Sequence, residues 1–107
     1  MGKYVMVIQS EAKPGRDDEY TQWYDSVHLG HVCAIPGVKS GRRFEAVTAA
    51  ASIGEPGLRH LAIYEIEADN PDSVLNELHK RVAAGTIDVS DALNWQSVVS
   101  WIYKAQT

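Results

Sequence analysis

Four histidines, five tyrosines, three tryptophans and a single cysteine carry most of the chemistry open to this chain of 107 residues. Tyr20, Trp23, Tyr24, Val27, His28 and His31 recur at i, i+3, i+4, i+7, i+8 and i+11, which is one stripe of a helix. Such a stripe faces a core, so the spacing turns His28 away from water. An imidazole titrates near neutrality and can take and return a proton within one catalytic cycle. Asp25 lies one helical turn earlier and could orient or charge-stabilise that ring. The competing reading is a buried histidine bonded to a backbone carbonyl at the helix end.

Tyrosines form the second set. Tyr24 is on the helical stripe, Tyr64 alternates with His60, Ala62 and Ile66, and Tyr4 and Tyr103 fall in apolar terminal stretches. A buried phenol needs a hydrogen-bond partner and can in turn hold an enolate oxygen. Aromatic residues on strands also serve plain packing. His60 and Tyr64 share a strand face and could line one cavity, with His60 solvated at the strand edge as the rival reading. Trp23, His31, His60, Arg43 and Tyr103 are the candidate substrate contacts, Arg43 by a forked bond to a carboxylate or phenolate. A solvated or salt-bridging arginine is the plainer reading of that last residue.

His28 and His31 are spaced as two metal ligands on one helix face would be, but a site needs a third and fourth ligand. Cys33, His60 and His79 show no ligand spacing with that pair, so no metal is expected, nor any other cofactor. Cys33 is alone, which excludes an internal disulfide and leaves an inert thiol. A phosphate-binding glycine loop, a dinucleotide fingerprint and a nucleophile elbow are all absent. Acid-base chemistry in an apolar pocket is what the residues leave.

Positioning these groups requires a particular order of elements. Residues 3–9 (KYVMVIQ) are rich in β-branched and aromatic types and read as a strand before the breaker pair Pro14-Gly15. The helical stripe follows, with Asp17, Asp18 and Glu19 favourable at its positive end and Pro36-Gly37 closing it. Residues 37–48 form a second strand that must turn Arg42 and Arg43 to opposite faces, and residues 49–57 a loop. Residues 59–67 make a third strand. Asn70-Pro71-Asp72 caps a second helix, whose apolar face is Val74, Leu75, Leu78 and Val82 and which stops at Gly85. Residues 90–93 allow a short helical turn, and residues 97–105 are the last strand.

The order β-α-β-β-α-β is a split βαβ pattern: an α+β, ferredoxin-like domain over residues 1–107, with a four-stranded antiparallel sheet and two helices on one face. Apolar residues of both parities on the strands (Tyr4 and Met6 against Val5 and Val7, Trp101 and Tyr103 against Ile102) call for cover on the second face too. Another copy of the chain would supply it, so a homodimer is expected. A net charge of −4 and a pI near 5.4 speak against nucleic acid. Neither a signal-peptide core nor an apolar run long enough for a bilayer is present, which points to a cytoplasmic protein without membrane contact.

The stretch WYDSVHLGHVCAIPGVKSGRRF, residues 23–44, resembles the signature of EthD-like dimeric α/β-barrel proteins. Members share an aromatic pair, a histidine near the helix end, a Pro-Gly turn and an Arg-aromatic strand, here Trp23-Tyr24, His28, Pro36-Gly37 and Arg43-Phe44. Relatives include muconolactone isomerases, a polyketide cyclase, a hydroxynitrile lyase, cofactor-free monooxygenases and haem-degrading oxygenases. The resemblance implies a histidine and a tyrosine acting in a pocket between helices and sheet. With the residue reading, it points to a cofactor-independent lyase, isomerase or cyclase acting on a small hydrophobic or aromatic carbonyl compound. His28 would be the base, Asp25 its orienter, and Tyr24 or Tyr64 the oxyanion donor. A monooxygenase, either cofactor-free or with haem held by His28, His31 or His60, is the alternative, and a non-catalytic ligand-binding dimer is the third reading.

Overall fold

The computed structural model describes residues 2–47 and 58–106. Strand β1 spans Gly2–Ala12 and leads through the Pro14-Gly15 turn into a helix built in three parts: α1, Asp17–Trp23, a π-helical stretch, Tyr24–His28, and α2, Leu29–Cys33. Asp17, Asp18 and Glu19 occupy its first turn, as charge placement beside the helix dipole requires. β2 spans Val38–Glu45, β3 His60–Ala68, α3 Asp72–Ala84 and β4 Leu93–Lys104. The sheet runs β2-β3-β1-β4 with every neighbouring pair antiparallel, the ferredoxin-like β-α-β-β-α-β arrangement read from the sequence. Thr48 and the expected loop over 49–57 lie outside the described residues.

The ends of α3 follow local chemistry. Asn70 Oδ1 accepts from the Asp72 backbone N–H at 3.0 Å, and Gly85 ends the helix in the left-handed region with φ 77°. The expected helical turn over 90–93 is instead one tight turn, held by the Leu93 N–H to the Ser90 carbonyl at 3.2 Å. β4 begins there, earlier than read from the sequence, because Leu93 and Asn94 pair with Ala12 and Glu11.

Met6, Ala62, Tyr64 and Ile66 on the sheet meet Tyr20, Tyr24, Val32, Val74 and Leu78 from the helices in one buried core. Gly41 stands opposite Tyr64 on the neighbouring strand, and a Cβ there would come within 2.7 Å of the Tyr64 ring. Glycine at 41 therefore makes room for the phenol. Arg42 and Arg43 do point to opposite faces: Arg42 packs over Phe44 on the outer face, Arg43 turns inward. That outer face is bare in the single chain, with Trp101 65% exposed, Tyr103 53% and Val99 43%. Among the described residues, no helix is long and apolar enough to cross a membrane.

Candidate active site

The first helix changes pitch at the residues the sequence singled out. A π-helical stretch widens the turn and occurs mostly as single-turn bulges, often at functional sites. Here it brings Trp23 and His28, five residues apart, into a stack with ring centroids 4.6 Å apart and planes 28° apart. Tyr24 meets the same imidazole edge-on at 4.9 Å. Trp23 is itself fixed, since its indole N–H donates to the Asp88 carbonyl at 3.1 Å.

This aromatic group walls a hollow of about 260 Å³ between helices and sheet. α3 contributes Leu75, Leu78, His79, Val82 and Ala83; the strands contribute Ile8, Ser10, Val98 and Ser100. Trp95, 58% exposed, joins the lining from β4 beside Leu93, and Val89 lies before them. Trp95 is aimed there by a bulge: Ser10 alone on β1 stands opposite residues 95–98 of β4. Ser97 plugs the bulge, its hydroxyl donating to the Asn94 carbonyl at 2.6 Å and accepting from the Glu11 N–H at 2.8 Å. Among the described residues, no Lys, Arg, Asp or Glu lines the hollow.

His28 lines this space, and its Nδ1 is buried without a hydrogen-bond partner among the described residues. Leaving such a group unpaired costs about 1–3 kcal/mol, and because that nitrogen has no accessible surface, a ligand in the hollow would meet the ring elsewhere. Burial, with a smaller contribution from His31, lowers the His28 pKa to about 4 and holds the ring neutral near pH 7. The alternative reading, in which His28 is spent on a backbone carbonyl, does not hold at Nδ1.

Asp25 is not its orienter. Asp25 Oδ1 accepts from Arg43 Nε at 2.6 Å, and the opened π-turn shifts residue i+3 off the line an α-helix would give. Arg43 is therefore spent inside the protein: it also reaches His60 Nδ1 at 3.2 Å and lies 5.8 Å from the Tyr24 ring centre. Neither it nor His60 lines the hollow. His60 is buried, not solvated at the strand edge; it stacks on Tyr20 at 4.2 Å and contacts Asp17 Oδ1 at 3.1 Å.

Of the two candidate phenols, only Tyr24 lines the hollow. Tyr64 lies fully buried, its hydroxyl 3.0 Å from that of Tyr24, and burial raises both pKa values, so both phenols stay protonated. His60 and Tyr64 share a strand face as expected, but the cavity is not theirs. Tyr103 points to the outer sheet face. His31 lines a separate depression with Arg81 and Ile87, its Nδ1 also unpartnered. Among the described residues, no three of the His, Cys, Asp and Glu side chains converge as a metal site.

Sequence reasoning missed Ser10, Ser100, His79 and Trp95 as lining residues. His79 follows Leu78 on α3 and was legible as a neighbour of the apolar face. Trp95 depends on the bulge, which no local pattern announces.

No family model and no curated protein matches the chain in sequence. Solved structures do. An EthD family protein from Bacillus halodurans C-125 superposes with TM-score 0.64 at 15% identity, covering 99% of this chain and 100% of that one. This chain has the fold of the EthD-like proteins. The haem-degrader MhuD from Mycobacterium tuberculosis, solved with two haems in its active site, superposes with TM-score 0.66 at 12% identity, over 95% and 94% of the two chains. A dimeric ferredoxin-like protein from Thermobifida fusca YX matches with TM-score 0.61 at 12% identity, over 97% and 92%.

Proposed function

We propose that the protein is a cofactor-independent enzyme that moves a proton on a small hydrophobic or aromatic carbonyl compound, as an isomerase, cyclase or lyase requires. The observation that carries this reading is the imidazole of His28, stacked on Trp23 in the wall of an apolar hollow. A neutral imidazole accepts the proton from a carbon beside the carbonyl; the C–H electron pair becomes the enolate, with its charge on oxygen. The imidazolium so formed is paired with that charge inside a site of low dielectric, which offsets the cost of burying either ion alone. The same proton is then returned to a different carbon, or lost after a leaving group departs.

Tyr24 is the better candidate for holding the oxygen, since it lines the hollow and Tyr64 stands behind it. With Tyr64 donating to Tyr24, the Tyr24 hydroxyl keeps its own hydrogen for a substrate oxygen. Association of two copies through the bare outer face belongs to the same reading, supported by Trp101, Tyr103 and Val99 lying exposed together there.

The test is proton exchange. Incubated in D2O with a panel of aryl ketones such as 1-tetralone and 2-tetralone, the protein is expected to speed deuterium entry beside the carbonyl, followed by NMR. His28→Gln should keep the fold and lose the acceleration. Unchanged exchange in His28→Gln would remove His28 from the mechanism.

A further inference from the structure

Haem, which one structural neighbour carries, is a poor match for the residues lining this hollow. Its propionates ask for cationic partners, and among the described residues no Lys or Arg lines the space. Among the described residues, His79, exposed on α3, is the one other imidazole in the lining. Size argues the same way. An engineered apolar cavity of about 150 Å³ takes one benzene ring, whereas this hollow offers about 260 Å³. That is room for two fused rings, and a macrocycle of four pyrroles would have to project out of it.

Shape and polarity narrow the choice. The stacked Trp23 and His28 rings form a flat wall, held in orientation by the Trp23 bond to Asp88. Leu75, Leu78, Val82 and Val98 supply apolar cover on other sides. Ser10, the one polar strand residue buried among the lining groups, already shares its hydroxyl with Tyr20 at 2.5 Å. The Ser100 hydroxyl and the accessible part of the His28 ring are left to meet a hydroxyl or carbonyl group.

We infer that the hollow takes a neutral, planar, two-ring aromatic ligand bearing a hydroxyl or carbonyl group, and that it excludes haem and ring carboxylates. The inference rests on the hollow being the functional site, but not on proton transfer taking place there. A carboxylate in this lining would lose its water without gaining a cation, and an anion would meet a ring held neutral by its surroundings.

The experiment is a set of parallel titrations at pH 7.5, read by quenching of tryptophan fluorescence, with 2-naphthol, 2-naphthoate, phenol and haemin. 2-Naphthol should bind at least tenfold more tightly than 2-naphthoate or phenol, and haemin should give no His28-dependent Soret shift. Ala83→Trp, at an exposed position on the lining, should weaken 2-naphthol at least tenfold without lowering the Tm. Binding of 2-naphthoate or haemin as tight as that of 2-naphthol would overturn the inference. So would an absence of saturable 2-naphthol binding, or full binding in Ala83→Trp, which would locate the probe elsewhere. Tight 2-naphthol binding without ketone exchange would leave the ligand class standing and sink the proton-transfer reading.

Discussion

The imidazole of His28 lies against the indole of Trp23, five residues back, at 4.6 Å and nearly parallel. In a regular α-helix residues five apart point well away from one another, so the stack depends on the π-helical stretch between them. One ring is pinned to the Asp88 carbonyl; the other has a buried nitrogen with no partner. The helix thus presents a positioned, neutral imidazole.

That neutrality has a pH signature. The folded pKa of His28, about 4, lies below its ordinary value of 6.5, so between these limits the unfolded chain binds the extra proton. Stability from this ring is complete above pH 6.5 and is lost as pH falls towards 4. Thermal unfolding at fixed protein concentration should show a loss of about 2 kcal/mol at most from pH 7 to pH 5. His28→Gln should flatten that slope. Glu19, Glu45 and Glu77, lowered from 4.5 by arginine partners, add to the slope in the acid part of this window, and the comparison with His28→Gln cancels their share. Equal slopes in the two proteins would contradict the burial assigned to the ring.

A second prediction concerns the phenol pair. Tyr64→Phe removes a hydroxyl and strands that of Tyr24, which should cost about 1–3 kcal/mol in chemical denaturation. Tyr24→Phe should cost a similar amount by stranding Tyr64. Removing both hydroxyls leaves nothing unpaired, so the double variant should be less destabilised than the two single losses added together. Strict additivity would show that the hydroxyls do not meet.

The order of elements, the parity of β3 and the apolar face of α3 were legible because each rests on a local period. Residues His60, Ala62, Tyr64 and Ile66 alternate in sequence and share the buried face in space. The pairing of Asp25 with His28 was not legible, because it assumed an unbroken α-helix. Three-residue spacing means adjacency only at 3.6 residues per turn, and the π-stretch cancels it. The ion pair that replaces it joins β2 to the first helix, a contact made by the sheet register. Tyr24 and His28 were recovered as a pair, whereas Trp95 required the bulge in β4. Local pattern located the helix face; long-range pairing decided which side chains reach the hollow.

Arg43 fixes the tautomer of His60. A guanidinium only donates, so His60 Nδ1 must accept from Arg43, and Nε2 must carry the hydrogen donated to Asp17 Oδ1. Nitrogen-15 NMR at pH 7.5 should report an Nε2–H imidazole for this residue. Arg43→Met keeps the stem but removes the donors to both His60 and Asp25, and should cost about 1.5–3 kcal/mol. An Nδ1–H signal would rule out the arrangement, whatever the stability of the variant.

The outer sheet face provides the last prediction. Trp101 and Tyr103 stand beside Val7 and Val5 across the β1–β4 ladder, and Arg42 and Phe44 occupy the same face on β2. An apolar face of this kind on a lone chain would aggregate or pair, and pairing face to face hides it without exposing a sheet edge. Sedimentation equilibrium should therefore give twice the mass of the 11.8 kDa chain. Trp101→Glu places two like charges near one another in a two-fold interface and should shift the mass to that of a single chain at micromolar concentration. The hollow lies on the other side of the sheet, so the monomeric variant should still bind 2-naphthol if it stays folded. A monomeric wild-type protein would show that the exposed tryptophan serves another contact.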